Sequence, residues 1–415
     1  MTFDYFIKND QVVTYWLKIN VVAGHNYKLI ISYSHLSIRR TSTMKDRFSE
    51  IRDKVLSQQR LEFEDGLFLF ESHDIARIGQ LADIVRKRLN GNRAYYVYNQ
   101  HINYTNVCVS HCRFCAYAKN PGDSGAYAWN VSEIRQRILS RIEEPITELH
   151  IVGGLNPDLP FTYYTELLEA ARKVRPGATL KAFTAVELDF IARNAALSLE
   201  DVIGRLKQSG LGMLPGGGAE VMSSRIHDSL FPRKIDGKRW LEIMETAHGA
   251  GLVTNATLLY GHIETHEERL LHLMALRDLQ DRTSGFCAFI PLAFHSANTG
   301  LSHLPATTAF DDLKTIAISR LMLDNFSHIK AYWVMIGEKL AQLALSFGAD
   351  DLDGTIIEER ISHEAGATSP KGLTRDQLKY LITSAGYEPV ERDAFYRPVA
   401  EIPPAPLLQK GELVH

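Results

Sequence analysis

Three cysteines with a distinctive spacing carry the clearest chemistry in this chain. Cys108, Cys112 and Cys115 follow the pattern C-x3-C-x2-C, and they are three of only four cysteines among 415 residues. Three thiolates are one fewer than the four that saturate a cubane iron–sulfur cluster or a structural zinc ion. A cluster held in this way keeps one iron open, and an open iron can bind and reduce a small molecule.

A zinc site is the alternative interpretation of these cysteines. His111 or Cys287 could supply a fourth ligand from elsewhere in the chain. Cys287, however, lies in an apolar stretch, where a cysteine is usually a packed core residue. The cysteine pattern therefore favours a cluster with an open iron, and the zinc site stays open as its alternative.

Two glycine-rich segments follow the cysteines. Gly153 and Gly154 end an apolar run, and Gly216 and Gly217 belong to a Gly-Gly-Gly run. Glycine lets the backbone approach a ligand closely and exposes backbone N–H groups to the oxygen atoms of that ligand. An ordinary tight turn is the alternative for each segment.

Polar side chains within or just after apolar runs form a second group of candidates. Asn255 and Thr257 alternate with apolar residues, which directs both side chains to one face of a strand. His262 and His295 follow predicted strands, and Lys330 lies in another. Each could contact a polar substrate, and packing within the fold is the alternative.

Short apolar runs alternate with amphipathic stretches from about residue 95 onward. Predicted strands cover residues 95–106, 148–153, 179–184, 212–214, 253–260, 286–294 and 329–335, with a weaker strand near 351–357. Strands that alternate with helices indicate βαβ units and a parallel sheet. The pattern predicts an α/β fold, a TIM-type (β/α) barrel of six to eight parallel strands. Such a barrel carries its reactive groups in the loops after the strands, where the cysteines would lie.

Composition shifts divide the chain into four segments. Residues 1–43 are expected to be an extension outside the folded protein, with Met44 as the working start, and a small strand-rich N-terminal appendage is the alternative. Residues 44–94 form a predicted N-terminal helical segment, and residues 95–360 form the barrel. Residues 361–415 are expected to be a C-terminal helical extension and tail, because a capped helical pattern there is followed by a proline-rich end.

Composition and charge narrow the class of protein. The formal net charge is −3, whereas nucleic-acid binding needs a basic surplus. The chain has no apolar run of about 18 residues, and its start lacks the basic and apolar parts of a signal peptide. Few cysteines, most of them clustered, suit a reducing cytoplasm. These features predict a cytoplasmic protein that binds neither nucleic acid nor a membrane.

The cysteine motif, with Phe114 just before its last cysteine, resembles the radical S-adenosylmethionine (SAM) superfamily. This resemblance implies the radical SAM fold and a [4Fe–4S] cluster held by the three cysteines, with SAM on the open iron. It further implies that SAM contacts Phe114, Gly153, Gly154, Glu187, Gly216 and Gly217. The expected partner is a low-potential electron donor such as flavodoxin or ferredoxin.

Within that superfamily the sequence resembles the aminofutalosine synthases of the futalosine route to menaquinone. The resemblance covers roughly residues 50–395. It rests on the cysteine motif and on blocks at residues 153–161, 181–187, 215–220, 255–265, 288–295, 328–333 and 348–355. Three of these blocks, at residues 181–184, 291–295 and 350–355, distinguish it from the dehypoxanthine futalosine cyclases.

The resemblance to the synthases implies a radical addition that consumes SAM. The 5′-deoxyadenosyl radical adds to the aryl enolpyruvyl ether 3-[(1-carboxyvinyl)oxy]benzoate, the aryl group migrates, carbon dioxide or bicarbonate is lost, and 6-amino-6-deoxyfutalosine forms. The enzyme is then a transferase that binds a substrate with two carboxylates. Expected substrate residues are Asn255, Thr257, His262, Arg282, His295 and Lys330.

Two rival functions stay open on the sequence alone. The first is a dehypoxanthine futalosine cyclase or another radical SAM barrel enzyme. The second is a non-catalytic metal-binding protein, in which the cysteines hold a saturated metal site.

Overall fold

Helices and strands follow one another along the chain in the order that the apolar pattern predicts. The computed structural model describes residues 7–8, 11–12 and 44–399. Its strands are β1 (Ile7–Lys8), β2 (Gln11–Val12), β3 (Arg93–Val97), β4 (Asn99–Ile102), β5 (Glu148–Ile151), β6 (Thr179–Ala182), β7 (Leu211–Leu214), β8 (Val253–Tyr260), β9 (Phe286–Ala293), β10 (His328–Ile329), β11 (Asp351–Gly354) and β12 (Glu388–Arg392). Its helices are α1 (Met44–Leu56), α2 (Phe63–Glu71), α3 (Ile75–Asn90), α4 (Val131–Leu139), α5 (Phe161–Val174), α6 (Ala185–Ala195), α7 (Leu199–Ser209), α8 (Ser224–Leu230), α9 (Gly237–Gly249), α10 (His266–Thr283), α11 (Ala309–Met322), α12 (Trp333–Ile336), α13 (Glu338–Ala344), α14 (Ile361–Glu364) and α15 (Arg375–Ser384).

The chain forms two compact units. In the unit Met1–Asp46, β1 and β2 pair antiparallel, with Ile7 opposite Val12. The second unit, Arg47–His415, contains the elements from α2 onward and most of α1. The extension predicted at residues 1–43 lies largely outside the described residues. The predicted domain boundaries stay predictions.

Seven parallel strands form the main sheet of the second unit. Their order is β10-β9-β8-β7-β6-β5-β4, so each strand pairs with the next one along the chain. Helices connect most of these strands, as βαβ units require. The sheet curls into a partial TIM barrel, which confirms the predicted fold class.

A second sheet of three strands spans the gap between the two edges of the main sheet. Its order is β11-β3-β12, again with parallel pairs. The Ala331 N–H, just beyond β10, donates to the Asp351 carbonyl in β11 at 2.7 Å. The His101 N–H in β4 donates to the Ile357 carbonyl at 2.9 Å. Backbone hydrogen bonds of the β11 segment therefore reach both edges of the partial barrel.

Three predicted strands differ from the observed ones. The strand predicted at 95–106 is divided into β3 and β4, which belong to different sheets. The strand predicted at 329–335 ends at Ile329, because Trp333 begins a short helix and its buried indole N–H donates to the Gly354 carbonyl at 2.9 Å. The weaker strand at 351–357 exists as β11 but lies in the second sheet.

Candidate active site

A cavity of about 360 Å³ lies at the C-terminal ends of the barrel strands. Its walls come from the second halves of these strands and from the loops that follow them, as is usual for barrel enzymes. The three clustered cysteines and all the glycines predicted to contact a cofactor line it: Cys108, Cys112, Cys115, Gly153, Gly154, Gly216 and Gly217. The barrel thus brings the cysteine loop and the glycine segments to one place.

Backbone hydrogen bonds hold the cysteine loop, which follows β4. The Cys108 N–H donates to the Lys119 carbonyl at 3.1 Å, and the Cys115 N–H donates to the Cys112 carbonyl at 3.0 Å. Burial raises the pKa of Cys112 to about 12 and also raises the pKa of Cys115. Burial thus favours the protonated thiols of Cys112 and Cys115, and metal binding there would release their protons.

The donor set suits an iron–sulfur cluster better than a single zinc ion. In the described ranges, no three His, Cys, Asp or Glu side chains converge on a position for one metal ion. Thiolates that bind different irons of a cluster stand farther apart than the ligands of one ion. His111 is exposed, and the Cys287 thiol donates to Asn255 Oδ1 at 3.0 Å, away from the cysteine loop. Three thiols on one loop therefore fit a [4Fe–4S] cluster with one open iron.

Glycine is required where the loop after β5 meets the cysteine loop. A Cβ atom at Gly154 would lie 2.2 Å from the Val107 carbonyl oxygen, and one at Gly153 would lie 2.7 Å from the Tyr104 ring. The Gly154 N–H also donates to the Thr105 carbonyl at 2.9 Å. These glycines therefore let two loops of the cavity pack directly on each other.

The carboxylate of Glu187 supports the same glycine turn through hydrogen bonds. Its Oε1 accepts hydrogen bonds from the Gly153 N–H at 3.0 Å and the Tyr104 hydroxyl at 2.8 Å. Its Oε2 accepts from the Thr184 N–H at 2.7 Å and the Thr184 hydroxyl at 2.8 Å. Burial raises the pKa of Glu187. Glu187 lines the cavity, but the protein itself supplies four hydrogen-bond donors to its two carboxylate oxygens. The carboxylate therefore holds the glycine turn in position.

The glycines after β7 pack against β8 and shape the opposite wall. A Cβ atom at Gly216 would lie 2.7 Å from the backbone of Ala256. The Gly216 carbonyl accepts a hydrogen bond from the Thr257 hydroxyl at 3.0 Å, and the Gly217 carbonyl accepts one from the Trp240 indole at 3.2 Å. This wall is therefore fixed to the strand that carries Asn255 and Thr257.

A buried ion pair beside the cysteines was not anticipated from the sequence. Lys234 and Glu220 pair directly, both line the cavity, and the Lys234 ammonium lies 5.3 Å from the centre of the Phe114 ring. Burial opposes the charged form of Lys234, but the carboxylate of Glu220 outweighs this effect and raises the pKa of the lysine. Lys234 belongs to no motif, and only the fold brings it to Phe114 and Cys112.

Three of the predicted substrate residues line the cavity, namely Asn255, Thr257 and His295. Asn255 Oδ1 accepts from the Cys287 thiol, so the carboxamide N–H groups remain for another partner. His295 Nε2 lies 2.9 Å from the Met335 carbonyl, and burial lowers the pKa of its imidazole. Both side chains can therefore act as neutral hydrogen-bonding groups.

The other three predicted substrate residues lie elsewhere. Arg282 is on the outer surface, where it pairs with Glu245 at 3.2 Å and is 53% exposed. It lies in the last turn of α10, and a barrel helix runs antiparallel to its strands, so its C-terminal end faces away from the cavity. His262 is buried outside the lining, with its ring Nδ1 2.9 Å from Glu264, because Gly261 (φ 91°) turns the chain there. These two predictions are not supported by the fold.

Lys330 occupies an intermediate position. It is buried just below the cavity, and its ammonium lies 3.2 Å from Asp353 Oδ1. Asp353 itself lines the cavity. Lys330 therefore contacts the cavity lining through Asp353.

Sequence reasoning overlooked several polar side chains that line the cavity. His101, His150 and Lys181 come from β4, β5 and β6, and Asp353 and Glu359 come from β11 and the loop after it. A usable signal existed for His150, because this residue stands between two apolar residues of β5, and a polar residue at an inward position of a strand marks a barrel lumen. The predicted strand at 95–106 concealed His101, since it placed this residue in the middle of a longer strand.

Comparison with known protein families identifies two regions of the chain. Residues 102–276 match the model of the radical SAM superfamily. Residues 283–404 match the model described as the CofH/MqnC C-terminal region. The first match begins at the last residue of β4 and includes the cysteine loop.

Curated relatives cover most of the chain. An aminodeoxyfutalosine synthase of Thermus thermophilus is 44% identical over 357 residues, which are 85% of this chain and 96% of the relative. A 5-amino-6-(D-ribitylamino)uracil–L-tyrosine 4-hydroxyphenyl transferase of Archaeoglobus fulgidus is 40% identical over 76% of this chain and 92% of the relative.

Solved structures support the fold at lower sequence similarity. HydG, a maturase of the [FeFe]-hydrogenase, superposes with a TM-score of 0.68 at 17% identity, covering 86% of this chain and 78% of that structure. Similarity at this level of identity concerns the fold alone.

Proposed function

Because the chain belongs to the aminodeoxyfutalosine synthase family of radical SAM enzymes, we propose that it converts 3-[(1-carboxyvinyl)oxy]benzoate and SAM to 6-amino-6-deoxyfutalosine. One observation carries the proposal: the three cysteines and the polar lumen residues line one continuous cavity. A cofactor at the cysteines and a second small molecule in the lumen would therefore be in contact. The family places the enzyme, a transferase, in the futalosine route to menaquinone.

The residues of the cavity have separate tasks in this reaction. Cys108, Cys112 and Cys115 would hold the cluster, which supplies the electron that splits SAM into methionine and the 5′-deoxyadenosyl radical. The glycine loops after β5 and β7 leave room for SAM beside the cysteines. Asn255 and Thr257 face the substrate from β8.

Apolar side chains protect the radical from water and from side reactions. Ile290, Leu292 and Phe294 line the cavity from β9 and the residue after it. A primary carbon radical reacts with many hydrogen donors, so a closed apolar wall favours addition to the nearby vinyl carbon. The aryl group then moves from oxygen to carbon, which leaves an oxygen-centred radical, and the carboxyl group departs as the carbon dioxide radical anion to form the ketone of the product. Oxidation of this anion to carbon dioxide would return one electron to the oxidised cluster.

The proposal includes a protein partner and a cellular setting. A low-potential flavodoxin or ferredoxin would deliver the electron, and we expect the reaction in the cytoplasm. In the described part of the chain, no helix has the length and apolar character needed to cross a membrane.

An anaerobic product assay tests the proposed function. The reconstituted, reduced enzyme is incubated with SAM and the vinyl ether, and the products are identified by mass spectrometry. We expect methionine and aminofutalosine. Free 5′-deoxyadenosine without aminofutalosine would contradict the proposal, because it indicates hydrogen abstraction.

Cysteine variants provide the matched control for that assay. Cys112→Ala should abolish product formation, since two thiolates do not hold the cluster in place. Cys287→Ala should retain it, because Cys287 contacts Asn255 and not the cysteine loop. Loss of product in both variants would indicate that Cys287 is a ligand and would favour a saturated metal site.

A second candidate function is favoured by the relative from Archaeoglobus. This relative, a ribitylaminouracil–tyrosine transferase, is 40% identical to the chain over a region that includes most of both proteins. The same assay should therefore include 5-amino-6-(D-ribitylamino)uracil with tyrosine, and also dehypoxanthine futalosine for the cyclase reaction. Turnover of either, without turnover of the vinyl ether, would reassign the enzyme within the superfamily.

A further inference from the structure

A row of three nitrogen-bearing side chains crosses the lumen at one level of the barrel. His101 in β4 pairs in register with His150 in β5, and His150 pairs with Lys181 in β6. All three side chains line the cavity. Residues in register on neighbouring parallel strands stand side by side, so the three project into the lumen together.

The two imidazole rings of this row have open hydrogen-bonding positions. They stack with their centroids 4.5 Å apart and their planes 13° from parallel. His101 is 7% exposed, and the structure gives neither ring a hydrogen-bond partner among the described residues. Burial lowers the pKa of both histidines, so each neutral ring keeps one N–H donor. Both rings line the cavity, so these donors face a space that a ligand can occupy.

Lys181 completes the row with a charged donor. Its ammonium pairs with Glu148 Oε1 at 2.6 Å, which uses one of its three N–H groups. Burial tends to raise the pKa of Glu148, but the ammonium groups of Lys181 and Lys330 outweigh this and lower the pKa to about 2. Glu148 therefore stays ionised and keeps Lys181 in place.

The acidic groups that share the lumen have their own partners. Asp353 lies 3.2 Å from the Lys330 ammonium, and Glu359 lies 2.8 Å from Nδ1 of His363. Their negative charges are therefore balanced locally. In the part of the chain that the structure describes, the rings of His101 and His150 keep N–H groups for a ligand, and Lys181 keeps two N–H groups beyond the one that it donates to Glu148.

We propose that this row binds the ring carboxylate of an aryl carboxylate substrate, with the carboxylate accepting from His101, His150 and Lys181. The inference rests on the proposed function for the identity of the substrate. The row lies at a depth in the barrel that suits the ring carboxylate. His150 comes three residues before Gly153, which is about 10 Å along the strand direction. The enolpyruvyl end, which must meet SAM, then lies beside the cysteine loop, and the benzoate end reaches the row.

A binding experiment without turnover tests this assignment. The reconstituted enzyme with SAM but without reductant is titrated with 3-[(1-carboxyvinyl)oxy]benzoate and, separately, with 2-phenoxyacrylate, which lacks the ring carboxylate. His150→Phe retains the stacked ring and removes its N–H. For His150→Phe we expect about ten- to hundred-fold weaker binding of the benzoate than in the wild type, because a hydrogen bond to a charged group is lost. Binding of phenoxyacrylate should change by less than about two-fold.

Two further variants separate binding from packing. His150→Gln restores a side-chain N–H at this position and should recover most of the affinity for the benzoate. His295→Phe changes a cavity histidine outside the row and should affect both ligands equally. Equal weakening of both ligands by His150→Phe, or no weakening of either, would overturn the proposal.

The outcomes distinguish this inference from the proposed function. If aminofutalosine forms but His150→Phe does not discriminate between the two ligands, the carboxylate row is wrong and the function stands. If no aminofutalosine forms but ring-carboxylate binding depends on His150, the row stands and the substrate must be another aryl carboxylate.

Discussion

At the scale of single residues, hydrogen bonding separates groups that position the site from groups that bind a ligand. Glu187 accepts four hydrogen bonds from the protein, which fill the acceptor sites of a carboxylate. It therefore positions the Gly153 turn, although the sequence led us to expect direct contact with the cofactor. His150 has no such partners and is available for a ligand. Residue type alone does not distinguish these two cases.

His272 shows how a buried histidine outside the cavity supports the site. Its Nε2 donates to the Thr257 carbonyl at 2.9 Å, and its Nδ1 accepts from the Met222 N–H at 3.2 Å. Burial lowers its pKa to about 4. In the neutral imidazole both ring nitrogens therefore make hydrogen bonds. A second proton on Nδ1 would point at the Met222 N–H and break that hydrogen bond.

The lowered pKa of His272 should make the stability of the fold decrease as the pH falls. The folded-state pKa of this histidine lies below the unfolded value of about 6.5, so the unfolded chain binds more protons between pH 6.5 and about 4. Stability is then lost as the pH falls through this window. Relative to His272→Gln, the wild-type free energy of unfolding should fall by about 2 kcal/mol more between pH 7 and pH 5.

Urea unfolding at the two pH values measures this difference. The exposed residue His73 provides the control, and His73→Gln should retain the wild-type pH dependence. If the free energy of unfolding of His272→Gln falls between pH 7 and pH 5 as much as that of the wild type, the buried ring does not cause the pH dependence.

At the scale of elements, the cavity depends on close contacts between loops that follow different strands. The loops after β4 and β5 meet at Gly154, where a side chain has no room. The loop after β7 meets β8 at Gly216 in the same way. The glycine segments are therefore needed for packing between loops, and the predicted contact with a cofactor stays a prediction.

Gly154→Ala should displace the cysteine loop. Its Cβ atom would lie 2.2 Å from the Val107 carbonyl oxygen and 3.0 Å from the Cys108 Cβ. Overpacking of this kind costs about 1–3 kcal/mol, so we expect roughly ten-fold or greater loss of SAM affinity together with reduced iron content. Iron analysis and visible absorption after reconstitution, followed by SAM titration, measure both effects.

Gly204→Ala is the matched control for that substitution. Gly204 lies inside α7, and an added Cβ would meet no atom within 4 Å. The change should leave iron content unaltered and stabilise the fold by about 0.5–1 kcal/mol, because alanine favours the helix. Full iron content in Gly154→Ala would contradict the packing argument.

At the scale of the whole molecule, the C-terminal strand secures the gap between the barrel edges. β12 pairs with β3 over five residues, and β3 pairs with β11, whose segment reaches β4 and β10. Arg392 at the end of β12 pairs with Asp351 in β11 at 2.6 Å, and both side chains are buried. The two outer strands of the second sheet are thus connected through one buried ion pair.

Removal of this arginine should destabilise the fold strongly. Arg392→Met leaves the Asp351 carboxylate buried without a cation, which costs about 3–5 kcal/mol. Arg282→Met is the control, because Arg282 and Glu245 are both about half exposed and should contribute less than about 1 kcal/mol. Chemical denaturation of both variants measures the difference. Equal, small losses would show that the buried pair does not secure the barrel.

The sequence by itself determined the features that depend on near neighbours. The predicted order of strands and helices agrees with the structure, and single residues mark helix ends: Ser198 caps the start of α7, and Gly210 ends it. Most strand positions also agree, because alternating burial and local turn residues specify them. These features follow from interactions within a few residues, which a sequence displays directly.

Only the tertiary structure decided which distant side chains share the lumen. His101, His150 and Lys181 form a row because β4, β5 and β6 pair in a particular register, and that register depends on packing between strands far apart in the chain. The same packing places Arg282 on the outer surface, although its charge suited a carboxylate. Side-chain direction in such a barrel depends on how the strands pair and on how the sheet curves, so residue type and spacing alone do not reveal it.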